Sequence, residues 1–573
     1  MSTSPSPDSR SPRSLSRRTL IERSAVAGVA AGAGAVLAAS GVSAQEATPS
    51  ASPAASPAAT PVAQPQGPVG LLQPAGDRPT LRLGTNSADI ANLDPHMASG
   101  TQDRTIVDMV FNGLVRFKPG DSSQFEPDLA TEMPTASDDG KTWTFTLREG
   151  VKVHPSASTG AYDLTSADVL FSFQKAANAD TSSYAGNYAG WSFAAPDPTT
   201  FVITLAEPLS EALFLPQVAN YSGGYIIPQA AYETLGADGF KSAPVGTGPF
   251  AFNAYTPQNA VLLAAHDAYF RGAPKLGGVE VRFVADGTSR ELALQSGDLD
   301  VIVGLPEAQW VDRMNGMDGL HVDVFGVGEV VFLNLDVNHE ILKDPKVREA
   351  ILLGVNREDT LALSGAPVSA PVFSVVPADF MPGGLTEDEA NTAGVNFTQD
   401  TEKAKSLLGE AGHPDGFELK LVSSEQDSYL RAYTVLQEEL RNVNITVNIE
   451  TVQHSAMHDL IREGSNAIVI YVAFRPTADV YLTQFFSTAG GVTNFSHFTV
   501  DDLVAQARAE TDTEKQAELW RQANVEIIKN FAGYGLIYTN QVYGKSAKVD
   551  YGHELTSVVQ LYPGINETTS ITG

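Results

Sequence analysis

The 573-residue chain contains no cysteine. That excludes disulfides, thiolate metal ligands, a cysteine nucleophile and a lipidated cysteine anchor. Basic residues are scarce: 37 Lys plus Arg stand against 67 Asp plus Glu, a net charge of −30. Nucleic acid is therefore not an expected partner, because binding phosphates needs clustered Lys and Arg. Histidine is limited to 10 residues. His454 and His458 lie one helical turn apart, a spacing that can bind zinc. Ser455 stands where a metalloprotease helix carries Glu, and no third ligand is marked, so a structural or exposed pair is expected. No P-loop or G-x-S-x-G elbow is present, and no pair of carboxylates is singled out for acid–base work. No enzyme activity, metal or cofactor is expected.

What is present begins with an export signal. Arg10, Arg13, Arg17, Arg18 and Arg23 precede a short Ala/Gly/Val run over residues 24–39, and Val42-Ser43-Ala44 offers a cleavage site. Ser16-Arg17-Arg18-Thr19-Leu20-Ile21 resembles the twin-arginine motif. The run is too short and Gly-rich for the ~20 residues of a membrane span. Residues 1–44 are thus read as a leader, against the alternatives of an ordinary secretory signal or an uncleaved anchor. Residues 45–79 have proline every fourth position from Pro49 to Pro65 and predict an extended spacer.

The folded part is organised around residues 125–177. Asp138-Asp139-Gly140 is turn chemistry. Trp143, Phe145 and Leu147 then alternate with threonines, which predicts a half-buried strand. Thr165 and Asp168 have capping-box spacing, and Val169, Leu170, Phe173 and Ala177 share one helical face. Pro127-Asp128-Leu129-Ala130, the strand of residues 139–151 and Thr165-Ser166-Ala167-Asp168-Val169-Leu170-Phe171-Ser172 together resemble the extracellular solute-binding proteins of ABC importers, in the peptide/nickel-binding family (family 5). The resemblance continues through Asn92-Leu93-Asp94-Pro95-His96, Pro244-Val245-Gly246-Thr247-Gly248-Pro249-Phe250, Tyr269 to Pro274, Leu294 to Asp300, Asp344 to Ala350 and Val355 to Glu358. Gly246-x-Gly248 is not a dinucleotide fingerprint, because Pro249 and Phe250 continue as strand rather than helix.

The resemblance implies an α/β, two-lobed periplasmic-binding-protein-like fold of the large type II class, with a discontinuous first lobe and an extra subdomain. Lobe I is expected at residues 80–324 plus 537–573 and lobe II at 325–536, with crossings in the strand-like runs 320–325 and 329–335 and again near residues 535–538. A βαβ-like unit is expected from helix 401–411, strand 417–422, helix 428–441 and strand 445–450, followed by one helix over 501–531. Function would be capture of a small ligand (peptide, oligosaccharide or anionic metabolite) between the lobes and delivery to a membrane ABC permease, by a monomer outside the cytoplasm. The rival reading is an exported enzyme or cofactor-bearing protein.

Ligand contacts are implied for Ser99, Thr101, Gln102, Tyr184, Trp191, Glu329, Tyr471, Phe474, Arg475, Asp479 and Tyr538. Peptide-binding relatives carry G-W-x-x-D-x-x-D/E-P near the return from lobe II, and the first Asp pairs with the peptide's amino terminus. Tyr471 here takes the Trp position, Phe474 that of the Asp, and Thr477-Ala478 that of the acid–Pro pair. Phe474 cannot neutralise an ammonium group. Arg475 could instead hold a carboxylate, phosphate or sulfate, or turn a solvated corner. Asp479 is a candidate displaced acid.

Overall fold

A computed structural model describes residues 77–573 except 99, 157–158, 489, 491–498, 558–561 and 573. The expected leader, the spacer up to residue 76, and Ser99 lie outside the described residues. The described residues belong to one unit, Gly67–Gly573.

The organising stretch folds as its pattern dictates. Gly140 adopts φ 67° at the turn, and Thr142–Thr146 follows as a strand with Trp143 and Phe145 buried. Trp143 stacks on Phe214 with ring centroids 4.1 Å apart. This strand pairs with Thr135–Ala136 on one side and Thr200–Thr204 on the other, and Ser192–Asp197 completes a four-stranded sheet. Helix Ser166–Ala176 starts in the expected capping box of Thr165 and Asp168, worth about 1 kcal/mol. Its Val169 and Phe173 are buried, with Phe173 stacked on Phe201 at 5.3 Å.

Among the described residues nine strands make the main sheet. In chain order they are β1 (Thr80–Thr85), β2 (Phe250–Thr256), β3 (Ala260–Ala265), β4 (Gly278–Phe283), β5 (Val301–Val303), β6 (Leu320–Leu335), β7 (Ser369–Pro371), β8 (Ile468–Ala473) and β9 (Gly533–Ser546). Their spatial order is β8-β6-β9-β5-β1-β4-β3-β2, with β7 also on β9. β6 and β9 form a long antiparallel pair within this order. The two short runs expected at 320–325 and 329–335 are one 16-residue strand. Gly326 and Gly328 weaken the alternating pattern there, yet β6 stays paired and absorbs the interruption as a bulge between Phe325 and Glu329. Buried β8 residues Ile468, Val469 and Ile470 pair with Leu333 to Leu335 of β6.

The βαβ unit is present: strands Phe417–Ser424 and Ile445–Val452 pair in parallel around helix Asp427–Arg441. The single helix expected over 501–531 is two, Asp501–Ala509 and Thr513–Lys529. Asp512 ends the continuity by accepting from the Glu514 and Lys515 amides as an N-cap. Gly246 and Gly248 serve close backbone approach: a Cβ on Gly246 would lie 2.1 Å from the Val110 carbonyl oxygen, and one on Gly248 2.6 Å from that of Met109. The same contact seats helix Thr101–Val110, whose end receives the Gly248 amide at 2.8 Å.

Candidate ligand-binding site

Helix Thr101–Val110 supplies part of one wall, and Gly100 gives it no side-chain cap. Arg104 lies one turn beyond Thr101 on the same face. Its Nη1 donates to Tyr221 Oη at 3.3 Å and its Nη2 to Tyr184 Oη at 3.2 Å, while the guanidinium sits 5.1 Å from the Tyr221 ring centroid. Arg104 Nε is buried without a partner. Tyr184 in turn donates its hydroxyl hydrogen to the Ala98 carbonyl. Among the described residues no carboxylate pairs with Arg104.

The opposite wall includes the segment that leaves β8. Tyr471 and Phe474 are buried. Arg475 is pinned by donating Nη1 to the Phe474 carbonyl at 2.7 Å and Nε to Gln484 Oε1, and its guanidinium lies 5.1 Å from the Phe485 ring centroid. Arg475 likewise has no carboxylate within ion-pair distance among the described residues. Nearby, helix His454–Arg462 places His454 and His458 with their Nε2 atoms 3.2 Å apart. Burial lowers the pKa of both, that of His458 to about 4 with help from the neighbouring imidazole, so the pair is neutral at pH 7.

These groups line one cavity of about 580 Å³, which Thr101, Arg104, Tyr184, Tyr188 and Tyr221 enter from one side and Tyr429, His454, His458, Tyr471, Phe474 and Arg475 from the other. A smaller annex of about 180 Å³ is lined by Thr85, Asn86, Thr101, Gln102, Thr105, Gln541 and Tyr543. Thr101 and Glu329 line both. Glu329 follows the β6 bulge and pairs with Thr539 of β9, while its carboxyl forms no hydrogen bond or ion pair with a described residue. Its carboxyl keeps some surface toward the cavity but is walled by protein, and this burial, only partly offset by Arg475, pushes its pKa up to about 7.

Of the sequence-predicted residues, the structure brings together Thr101, Gln102, Tyr184, Glu329, Tyr471, Phe474 and Arg475. Three stand elsewhere. Trp191 packs edge-on to Tyr188 at 5.3 Å and against Phe214 at 5.7 Å. Tyr538 packs on Phe380 at 4.8 Å. Asp479 lines neither cavity, and Arg508 holds both of its oxygens at 2.7 and 2.8 Å. The cavity adds Arg104, Tyr221, Tyr429 and the histidine pair. The pair's helical spacing was visible in the sequence, but its exposure to a cavity was not. Arg104 carried only the signal of a lone cation one turn past Thr101.

The sequence profile of the bacterial extracellular solute-binding proteins, family 5 Middle, matches residues 124–493. The chain belongs to this family. The family 5 proteins are solute-binding components of ABC importers that act outside the cytoplasm, binding proteins rather than enzymes. Glutathione-binding protein GsiB of Salmonella paratyphi A is 27% identical over 465 residues, covering 77% of this chain and 86% of GsiB. The solved structure of MoaA from A. tumefaciens R10 in complex with mannopinic acid is 35% identical, with a TM-score of 0.76, covering 87% of this chain and all (100%) of MoaA. DppA of Helicobacter pylori in complex with peptide STSA, at 23% identity, TM-score 0.73 and coverage of 86% and 98%, shares the fold. Among the described residues no helix of this family 5 protein is long and apolar enough to cross a membrane.

Proposed function

We propose that the solute captured is a small organic anion with at least one carboxylate, gripped by Arg475 from lobe II and Arg104 from lobe I. One observation carries the reading: two guanidiniums line the same cavity and neither has a carboxylate partner among the described residues. A guanidinium in a protein-walled site gains most from a bidentate, charge-assisted contact, and a ligand carboxylate supplies it. The rest of the lining is mostly uncharged, with Ser183, Asn187, Gln217 and Ser222 suited to hydroxyl groups. MoaA's mannopinic acid and GsiB's glutathione make these two compounds the first to try. Ordinary oligopeptides are disfavoured by Phe474, where relatives place the acid for the amino terminus.

The site on this reading comprises Thr101, Gln102, Arg104, Tyr184, Glu329, Tyr471, Phe474 and Arg475, and it binds without turnover. Ser172 and Lys175, which share an S-x-x-K spacing, are taken up structurally by the Tyr225 carbonyl and by Asp94, which supports a non-catalytic role. The two-lobe division at residues 324/325 and 536/537 falls within β6 and β9, as a hinge made of two strands requires. The protein on this reading is an exported monomer that leaves by the twin-arginine route and acts in the periplasm or at the cell-envelope exterior.

Native mass spectrometry of the purified protein, followed by calorimetry with mannopinic acid, glutathione and a tetrapeptide, tests the proposal. Binding of an acid, weakened roughly 10- to 100-fold in Arg475→Ala, is expected. A neutral co-purified ligand, or consumption of the ligand during titration, overturns it.

A further inference from the structure

Glu329 is the sole carboxylate among the residues lining either cavity. It stands where the two cavities meet, on β6, and no described residue hydrogen-bonds to its carboxyl. Asp479 is occupied by Arg508 and Phe474 is apolar, so lobe II's return segment supplies no acid for a cationic group. We propose that Glu329 is the subsite for a protonated ligand nitrogen, and that the annex behind it takes an uncharged polar substituent on that nitrogen. The inference rests on the anion reading above and extends it: the ligand is zwitterionic, with its carboxylate at Arg104 and Arg475 and its ammonium at the junction.

The surroundings favour this division. The charged groups facing Glu329 across the main cavity are Arg104 and Arg475; the remaining titratable neighbours are Tyr184, Tyr188, Tyr221, Tyr429, Tyr471, His454 and His458, with Tyr543 on the annex side and the buried Tyr481 behind the cavity wall. The imidazoles are neutral at pH 7. A lone carboxylate among neutral walls, with guanidiniums opposite and no ion pair to either, is a costly arrangement that an N–H donor of the ligand relieves. Burial favours the protonated acid in the empty site, and an arriving ammonium favours the carboxylate, so binding near pH 7 releases a fraction of a proton. In the annex the side-chain amides of Asn86, Gln102 and Gln541 have no hydrogen-bond partner among the described residues. They offer adaptable donors and acceptors to a neutral tail. A volume of about 180 Å³ matches roughly six waters at ~30 Å³ each, room for a chain of roughly six heavy atoms.

The test uses full-length protein and paired probes: mannopinic acid, glutathione and glutamate-terminated dipeptides, each with a free amine and as the N-acetyl derivative that keeps its carboxylates. Isothermal titration in two buffers of different ionisation enthalpy gives affinity and proton release together. The expected result is a preference of roughly 10- to 100-fold for at least one free amine over its acetylated twin, the size of one charge-assisted contact. That preference and the proton release should both vanish in Glu329→Gln, whose fold is checked by its melting curve. Equal binding of the two forms, or a preference that survives in Glu329→Gln, overturns the ammonium subsite while Arg475→Ala still tests the anion reading alone. Failure of every acid to bind overturns both.

Discussion

Replacing Glu329 by Gln should stabilise the empty protein, and only at neutral and alkaline pH. A glutamate carboxyl of ordinary pKa 4.5 is raised to about 7 in the fold, chiefly by burial. Between these values the folded protein keeps a proton that the unfolded chain has released. Stability from this group is therefore present at low pH, falls as pH rises from about 4.5 to about 7, and is flat above. At roughly 1.4 kcal/mol per unit the ionised carboxylate costs about 3 kcal/mol at most, and cavity water screens part of that. Gln keeps the shape and removes the ionisation. For a body spanning Gly67–Gly573, an unfolding entropy of about 2.1 cal/mol/K per residue converts the ceiling to roughly 3 °C in Tm. Differential scanning calorimetry of both proteins between pH 5 and pH 9 measures the variant-minus-wild-type difference, in which common pH effects cancel. The difference should be smallest at pH 5 and plateau above pH 7. A flat difference, or a less stable variant at pH 8, would refute the burial argument for Glu329.

Other outcomes follow from the charges. Arg475→Ala should weaken binding of an anionic ligand by roughly 10- to 100-fold, and Arg475→Lys should restore only part of it because the fork is lost, both by calorimetry. Asp479→Asn should lower Tm by loosening Arg508 while leaving the ligand Kd within about twofold; a large loss of affinity would return Asp479 to the site. Lys175→Met strands Asp94, since both side chains are almost fully buried at 4% and 5% exposure and Lys175 Nζ lies 2.8 Å from Asp94 Oδ2. A cost of about 3 kcal/mol in denaturant unfolding is expected, with fold intact.

Local features were the most legible in the sequence. The turn at Gly140, the alternation around Trp143 and the Thr165 capping box involve residues within a few positions, so their pattern states their conformation. Bounds blurred where two signals competed. The glycines near 326 resembled a break, but pairing with β9 on one flank and β8 on the other carries β6 through. Helical periodicity ran past residue 510, but Asp512 preferred to cap. The site was harder because its partners are remote. Arg104 meets Tyr184 and Tyr221, 80 and 117 positions away. Asp479 looked available as an acid until the chain returned with Arg508, 29 residues later. No periodicity encodes which charges the fold will satisfy.

That distinction is what gives the cavity its meaning. Elsewhere many buried and half-buried charges find counter-ions, as Asp94 with Lys175, Asp128 with Arg271, Asp300 with Arg82 and Asp479 with Arg508, and others are held by backbone groups, as Arg290 and Arg348 by carbonyls and Asp103 and Glu439 by amides. The fold thus has the means to pair such groups and does so between distant parts of the chain, as between Arg82 and Asp300 and between Arg116 and Glu567. Arg104, Arg475 and Glu329 line one cavity with no ion-pair partner among the described residues, and two of them carry a sign opposite to the net charge of −30. What sets these three apart is that they share one cavity and enter it from opposite walls, the arrangement that the proposed charged ligand would complete. On the proposed reading, a guest that bridges Arg104 and Arg475 gains both contacts only when both walls are near it, so its binding would favour whichever state brings those walls closest.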